Sequence, residues 1–371
     1  MIIFVNFKTH RKGVHRLMKF TSRTISFAAL SLLLLLLVAC SNASTSSPAE
    51  ETTSTTNTTE TSASAENTNK TTYPLTIENF TISGEGGEWK PKVQVFDKAP
   101  ERVVANTQSA AEMLIKLGLT DKMVGVAALY GSVTPDVADD FAQIPVLSKD
   151  YVGKELVVGA SPDLVLGRGD LFADADWGVG TVDGLNDMNI RTFLQTTNHK
   201  GSLDSLYSDI AQLGQIFDVQ ENAATFTESL KNRVEAIKAS VADQPEHSFA
   251  YIVPATEDTI TVSSMQNDTF QLDALSLLKL KNTFDGVQGE VSVEQLITAN
   301  PDYLLLSAYA GSPDIDKLIE NLYANPALQS MNAIKNKQIY VTDFSQFWGY
   351  GYQILDGIEK MVQEMKANPI K

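Results

Sequence analysis

Cysteine and histidine are scarce in this sequence of 371 residues. The one cysteine, Cys40, excludes a disulfide within the chain and any CxxC metal or redox site. Of the four histidines, His10 and His15 precede an apolar segment near the N-terminus, which leaves His199 and His247 for the rest of the chain. Because metal sites need several converging ligands, we predict no metal site and no resident cofactor.

Positive charge is also scarce. The chain has 29 basic and 45 acidic residues, and six of the basic ones lie in the first 40 positions, where no acidic residue occurs. The rest of the chain has 23 basic and 45 acidic residues, which gives it a net charge near −22. Nucleic acid and anionic membrane surfaces would repel such a protein. Both are excluded as direct partners of the folded part.

The apolar run at 25–39 is too short for a membrane-spanning helix. It has 15 residues, whereas a spanning helix needs roughly 18 or more. Lys19 and Arg23 precede the run, which is the order of a secretory signal. The run ends in Leu-Val-Ala-Cys40, and small residues before a cysteine resemble the bacterial lipobox, whose cysteine is acylated.

We therefore predict that 1–40 is a lipoprotein signal peptide, starting at Met1 or Met18, and that Cys40 is lipidated. The alternative is an ordinary signal peptide followed by an unmodified thiol. Lipidation would hold the protein on the extracytoplasmic face of the cell membrane, at a Gram-positive surface, with the acyl chains as the only membrane contact.

The segment 41–72 has little hydrophobic content. Of its 32 residues, 18 are Ser or Thr, and Leu, Ile, Val and aromatic residues do not occur. Such a segment cannot bury enough apolar area to offset the entropy lost on ordering. We predict a disordered tether.

From residue 73 onward, short buried strands alternate with helices. A hairpin comes first, since 75–80 and 93–96 flank a glycine-rich turn. Strands are predicted at 102–105, 123–127, 164–166, 190–194, 249–253, 260–262, 303–306 and 338–341, and helices at 110–117, 135–142, 180–188, 272–278, 293–299, 314–323 and 352–365. This alternation is typical of an α/β fold with mainly parallel sheets covered by helices.

One predicted helix is much longer than the others. Apolar residues from Phe226 to Val241 recur at helical spacing, and a helix over 220–241 would be about 33 Å long. It is long enough to join two domains. The predicted organisation is an N-terminal lobe at 73–215, an interlobe helix at 216–242 and a C-terminal lobe at 243–371.

An internal repeat supports two similar lobes. Glu155 precedes Pro162-Asp163 and a buried strand, and Glu294 precedes Pro301-Asp302 and another at the same spacing. Each copy predicts a short helix, a Pro-Asp turn and a strand. The alternative is convergence, because Pro-Asp is common in turns. If the repeat is real, the cleft between the lobes is the default ligand site.

The order of these features resembles a family of substrate-binding proteins of bacterial ABC importers. The segments that carry the resemblance, beside the lipobox, tether and repeat, are PERVVANTQSAAEMLIKLGLTDKMVGVA and QFWGYGYQILDGIEKM. The family members in question bind ferric siderophores, haem or cobalamin. The resemblance implies two lobes joined by a rigid helix, a cleft between them, and a permease dimer with its ATPase as partner.

The resemblance also assigns Glu155 and Glu294 to permease docking. In the family, one glutamate on each lobe pairs with arginines of the permease. A glutamate at the start of a short helix can instead be a local stabilising residue, because it faces the positive end of the helix dipole. Matching positions in both repeats favour docking.

Ligand-binding candidates follow the predicted strands, where ligands bind in open α/β sheets. They are Gln108, Tyr130, Lys149, Arg168, Tyr309, Trp348, Tyr350 and Tyr352. Arg168 could bind an anionic or carbonyl-rich ligand, or could pair with Asp163 or Asp170. The aromatic residues suit a large flat or chelate-shaped ligand, although one or two of them could instead cap the core.

The leading hypothesis is a monomeric receptor that binds an iron chelate such as a ferric siderophore and delivers it to the permease. Haem, cobalamin or a bare metal ion are alternatives by the same route, although the two remaining histidines argue against a bare ion. A surface-anchored hydrolase is the alternative from another class. Because the sequence has no G-x-S-x-G, HExxH or P-loop motif, we predict no catalytic residue and no enzyme.

Overall fold

The computed structural model describes residues 70–82, 87–256, 258–309 and 312–370. The predicted signal peptide, Cys40 and most of the predicted tether lie outside these residues. Of the helices within the described ranges, none combines the length and the apolar character needed to cross a membrane.

Eleven strands and twelve α-helices form in the described part of the chain. The strands are β1 Leu75–Ile82, β2 Trp89–Phe96, β3 Val103–Ala105, β4 Met123–Val126, β5 Leu164–Gly167, β6 Arg191–Leu194, β7 His247–Pro254, β8 Ile260–Ser263, β9 Leu280–Asn282, β10 Tyr303–Ala308 and β11 Ile339–Asp343. The helices are α1 Gln108–Lys116, α2 Ala138–Phe141, α3 Lys154–Gly159, α4 Val182–Asn186, α5 Leu203–Phe217, α6 Gln220–Ser240, α7 Thr269–Ser276, α8 Val293–Ala299, α9 Ile315–Ala324, α10 Asn332–Lys335, α11 Phe344–Trp348 and α12 Ile354–Ala367.

The first lobe is built on a parallel sheet of four strands in the order β4-β3-β5-β6. Its two central strands, β3 and β5, are fully buried short apolar runs, as expected for a parallel sheet with both faces covered. The predicted hairpin β1–β2 is antiparallel and lies against β6. The side-chain amide of Asn79 fixes it there by bonding the N–H and C=O of Leu194, at 2.9 and 3.1 Å.

The second lobe is built on a sheet in the order β11-β10-β7-β8, with β9 also paired to β7. All pairs are parallel except β7 with β8. The fold is therefore α/β with two lobes, as predicted.

Helix α6 joins the lobes. It has 21 residues, about 31 Å in length, and buries Phe226, Leu230, Val234 and Ile237. It packs against α5 and α12, and the guanidinium of Arg233 pairs with the carboxylates of α12. The helix begins at the predicted residue 220 and ends one residue before the predicted 241; it is separated from α5 by Asp218, which takes the left-handed conformation.

The ordered part of the chain begins before residue 73. Thr71 donates its N–H to the carboxylate of Asp218 at 2.7 Å and its hydroxyl to the C=O of Gln215 at 2.6 Å. The Tyr73 hydroxyl donates to the C=O of Ile216 at 2.7 Å. Thr71, one of the last two residues of the predicted tether at 41–72, is therefore bound to the α5–α6 junction.

Helix α5 carries a buried carboxylate, Asp209, that accepts hydrogen bonds from the N–H and hydroxyl of Thr196, at 2.8 and 2.7 Å. Burial raises the pKa of Asp209 to about 7. The folded protein therefore keeps a proton that the unfolded chain loses near pH 4, so the free energy of unfolding falls as the pH rises through this window.

Asp209→Asn should remove this pH dependence, which corresponds to up to about 1.4 kcal/mol per pH unit between roughly pH 4 and 7. Chemical denaturation at several pH values measures the slope. Asp204→Asn, an exposed change on the same helix, should keep it. Equal slopes for the wild type and Asp209→Asn would contradict the assignment.

Candidate functional site

A narrow crevice lies between the two lobes, at the carboxyl ends of β3 and β5. Its enclosed volume is about 20 Å³, which is room for little more than a water molecule. Its walls include Gln108, Tyr130, Tyr151 and Arg168 from the first lobe, and Phe344, Ser345, Trp348 and Gly349 from the second. The position is the one expected for a ligand site in an α/β sheet.

The strand ends hold one another in place through Asn106. Its side chain donates to the C=O of Arg168 at 3.0 Å and accepts from the N–H of Arg168 at 2.8 Å. Gly167 has a φ of +135°, and a Cβ there would lie 1.9 Å from the Asn106 oxygen. Only glycine allows this approach, which directs the Arg168 side chain into the crevice.

Arg168 is the charged residue of the crevice wall and is only 3% exposed. Its guanidinium lies 5.3 Å from the centre of the Tyr350 ring and makes long contacts of 3.4 Å to the Tyr151 hydroxyl and the Asp170 carboxylate. Within the part of the chain that the structure describes, its Nε has no hydrogen-bond partner. Burial lowers the pKa of Arg168, but Tyr350, Tyr151 and Asp170 raise it by more, so the group remains charged.

The alternative partner considered for Arg168, Asp163, is used elsewhere. Its carboxylate accepts from the backbone N–H groups of Glu101 and Arg102, at 2.8 and 2.9 Å, at the start of β3. Asp302 of the second repeat accepts from the N–H of Ser248 at 2.9 Å, within β7. The repeated aspartates therefore have the same local role, and the carboxylate in direct contact with Arg168 is that of Asp170, at 3.4 Å, while Asp268 interacts with it through its charge.

Gln108 lies in the crevice wall, and its side-chain oxygen is an acceptor without a hydrogen-bond partner among the described residues. It is buried at the start of α1, whose N-cap is Thr107. Its amide nitrogen donates to the buried Glu112 carboxylate at 2.8 Å, while its Oε1 has no partner. The crevice therefore offers one unsatisfied donor and one unsatisfied acceptor, and buried polar groups of this kind are costly unless something binds them.

Aromatic rings from both lobes meet at the crevice. Tyr130 contacts Tyr151 and Phe344 edge-on, with ring centres 5.2 and 6.3 Å apart. Tyr309 extends the group outward, 5.5 Å from Phe344, and is 39% exposed. The indole N–H of Trp348 bonds the Tyr251 hydroxyl at 2.9 Å, which fixes that ring in the second lobe.

Four of the eight predicted ligand-binding residues line the crevice: Gln108, Tyr130, Arg168 and Trp348. Lys149 is exposed and Tyr309 lies beyond Phe344, so neither forms part of the wall.

The other two candidates, Tyr350 and Tyr352, are buried behind the crevice. Tyr350 packs between Arg168 and Phe270. Tyr352 is edge-on to Phe226 of α6, where it belongs to the core. The reading that some of the C-terminal aromatic residues cap the core therefore applies to these two.

Phe344 and Ser345 were absent from the predicted site. They begin α11, whose N-cap Asp343 accepts from the N–H of Ser345 at 2.8 Å. An aspartate before a short apolar run is the available signal for this cap.

Glu155 and Glu294 each lie in the first turn of a short helix, α3 and α8, and both are exposed. Hydrogen bonds to its own backbone N–H and to Ser292 lower the pKa of Glu294. The two carboxylates thus occupy matching places in the two lobes.

Within the described ranges, no group of three or more His, Cys, Asp or Glu side chains could hold a metal ion.

The chain is similar to proteins of one kind. A model of the family described as periplasmic binding protein matches residues 103–345. The uncharacterized ABC transporter substrate-binding lipoprotein YvrC of Bacillus subtilis is 23% identical over 279 residues, which cover 74% of this chain and 82% of that protein. The vitamin B12-binding protein of Yersinia pestis is 27% identical over 225 residues, covering 58% of this chain and 73% of the relative.

A solved structure has the same fold. The ABC-type Fe3+-hydroxamate transport system protein of Saccharomonospora viridis aligns with a TM-score of 0.58 and 25% identity. The alignment covers 79% of this chain and 99% of that one.

Proposed function

The chain belongs to the periplasmic binding protein family and is an extracytoplasmic substrate-binding protein of an ABC importer, and we propose that it captures a ferric siderophore or similar iron chelate. Cys40 anchors it by lipid, the Ser/Thr-rich segment gives it reach, and it delivers the chelate as a monomer to a permease dimer with its ATPase. Iron arrives already coordinated by the chelator, so the protein needs no metal ligands of its own.

The observation that carries this proposal is the buried guanidinium of Arg168, whose Nε lacks a hydrogen-bond partner among the described residues. Chelators present anionic or carbonyl oxygens around the metal, and a buried guanidinium bonds such oxygens strongly. The enclosed volume of the crevice, about 20 Å³, is far below the usual range for ligand sites. A bulky chelate therefore requires the lobes to move apart before it binds.

The relatives support more than one ligand. The Saccharomonospora protein belongs to an Fe3+-hydroxamate system and the Yersinia relative binds vitamin B12. The rings of Tyr130, Tyr151 and Phe344 at the crevice favour cobalamin or haem as the second candidate, since large flat ligands gain area against aromatic side chains. A family of solute-binding proteins does not favour the surface-anchored hydrolase.

A ligand panel tests the proposal. The full chain in phospholipid nanodiscs is titrated by calorimetry with a ferric hydroxamate, a ferric tris-catecholate, ferric citrate, haem and cobalamin. Saturable binding of a ferric chelate in preference to haem and cobalamin supports the proposal. Preference for haem or cobalamin replaces it with the second candidate, and no binding in the panel contradicts both.

The closed crevice depends on Gly131. A Cβ at this residue would lie 1.9 Å from the Ser345 hydroxyl and 2.8 Å from the Asp343 carboxylate, both on the other lobe. Gly131→Ala should therefore destabilise the closed, empty crevice and, because a chelate binds only after the lobes move apart, strengthen binding of the panel ligand by about 5- to 100-fold, since overpacking costs about 1–3 kcal/mol.

Calorimetry measures this effect, with Gly159→Ala as the matched control, because no atom lies within 4 Å of the added Cβ there. Wild-type affinity in Gly131→Ala would mean that the ligand-bound state keeps these residues as close together as the empty state does.

A further inference from the structure

Three rings outside the crevice wall form a second aromatic group, Phe80, Trp89 and His199. The rings of Trp89 and His199 are stacked, with centres 4.5 Å apart and planes at 16°. Phe80 is edge-on to Trp89 at 5.7 Å and tilted against His199 at 5.4 Å. All three side chains are half-buried, so part of the group faces solvent.

This group lies at the same strand ends as Arg168. The Trp89 ring covers Gly169, the residue after Arg168, so closely that a Cβ on Gly169 would lie 2.2 Å from it. His199 follows β6, and its neighbour Asn198 accepts from the N–H of Asp170 at 3.2 Å. The rings are therefore separated from Arg168 by a single turn of the chain.

The group also borders the second lobe. The hydroxyl of Thr197, two residues before His199, donates to the C=O of Tyr350 at 2.8 Å. Two of the three rings come from the hairpin β1–β2, which precedes the part of the chain matched by the family model. The rings thus lie where a ligand in the crevice would project past the first lobe.

Holding the hairpin in place does not by itself require these rings. The hairpin is already fixed by the Asn79 amide on Leu194, by Gln94 on Thr192 at 3.3 Å, and by the Arg191 guanidinium, which donates to the C=O of Val95 at 2.6 Å. Burial and the nearby Lys200 lower the pKa of His199, so its ring is neutral at neutral pH and the stack is an uncharged aromatic surface.

We propose that Phe80, Trp89 and His199 form a subsite, the hairpin subsite, that binds a flat conjugated part of the ligand whose oxygen-rich end contacts Arg168. This inference rests on the proposed function. Aromatic rings attract other flat rings through offset stacking and edge contacts, each worth about 0.5–1.5 kcal/mol beyond the buried area. The subsite would therefore select chelators that carry aryl rings, or macrocycles, over small aliphatic chelators.

Fluorine NMR can test this, because the chain has three tryptophans, Trp89, Trp177 and Trp348. The full chain is labelled with 5-fluorotryptophan, placed in nanodiscs and assigned with single Trp→Phe variants. A ferric tris-catecholate or haem should shift the Trp89 and Trp348 resonances. Ferric citrate, which has no ring, should shift that of Trp348 only.

The outcomes separate the two proposals. A bound tris-catecholate or haem that shifts Trp348 but leaves Trp89 unchanged overturns the hairpin subsite alone. If calorimetry detects no binding of any probe, the proposed function fails and the subsite fails with it.

Variants add an independent readout. Trp89→Leu should weaken tris-catecholate or haem binding by about tenfold and leave ferric citrate unchanged. His199→Ala, which keeps Trp89 on Gly169, should lose part of the same preference. Trp177→Leu is the matched control, since Trp177 is also half-buried but is not part of the crevice wall. Equal losses for ferric citrate in Trp89→Leu would mean that Trp89 only supports Gly169, which overturns the subsite.

Discussion

Arg168→Met is expected to weaken binding of the panel ligand by roughly 10- to 150-fold. The guanidinium is buried, charged, and lacks a partner for its Nε, so a ligand oxygen gains a charge-assisted hydrogen bond there. Hydrogen bonds to charged groups contribute about 1.5–3 kcal/mol, which corresponds to this range of dissociation constants. Methionine keeps an unbranched apolar side chain in the crevice wall but lacks the guanidinium that lies over the Tyr350 ring. Calorimetry with the ferric chelate that binds best measures the change.

Two further variants separate charge from geometry. Arg168→Lys keeps a cation but loses the planar fork, so it should recover only part of the affinity. Arg102→Gln is the control, because Arg102 precedes β3, at the opposite edge of the sheet, where its guanidinium bonds the C=O groups of Ser161 and Ala160. Wild-type affinity in Arg168→Met would mean that the ligand does not use the crevice as we propose.

Much of the fold could be predicted because its strands are short apolar runs bounded by turn residues. Helix α8 has the predicted bounds of 293–299, since Ser292 caps it and Pro301 follows it. Helix α5 was missed, although Ser202 caps it and apolar residues from Leu206 to Ile216 recur at helical spacing. The pattern of α5 is local, so the sequence could have predicted this helix. That α6 follows α5 almost directly depends on the left-handed conformation of Asp218, which the pattern does not show.

The site was predictable only in part, because sequence does not show which way neighbouring side chains point. Trp348 and Tyr352 are four residues apart, yet Trp348 lines the crevice and Tyr352 packs on Phe226 of the interlobe helix. The turn between α11 and α12, with Tyr350 in the left-handed conformation, separates them. The aromatic content of the segment was informative, and the direction of each ring was decided by tertiary packing.

The same limit applies to Arg168. Its place after a buried strand predicted either a ligand contact or an ion pair with Asp163 or Asp170. The structure excludes the pair with Asp163, whose carboxylate accepts from backbone N–H groups, and shows the pair with Asp170 as a long contact that Asp170 shares with Asn198. Competition among hydrogen-bond partners decided the outcome, and that competition involves residues from distant parts of the sequence.

Replacing Glu155 and Glu294 together by Ala is expected to abolish uptake of the bound chelate while its affinity in solution stays unchanged. Both carboxylates are exposed on short helices at matching places in the two lobes, and neither residue lines the crevice. We propose that they pair with basic residues on the permease, one per subunit. Such pairs steer encounter and fix the orientation of docking, so losing both should prevent productive release of the ligand.

Uptake of a chelate labelled with radioactive iron, in cells that express the importer, measures this effect, and calorimetry checks affinity in parallel. Each single variant should retain part of the uptake because one pair still orients the protein. The double variant Glu228→Ala with Glu235→Ala is the matched control, since it removes the same charge from exposed positions on α6. If the control lowers uptake as much as the Glu155 and Glu294 pair, net charge and not docking is responsible. If the pair lowers chelate affinity instead, the two glutamates act on the lobes themselves.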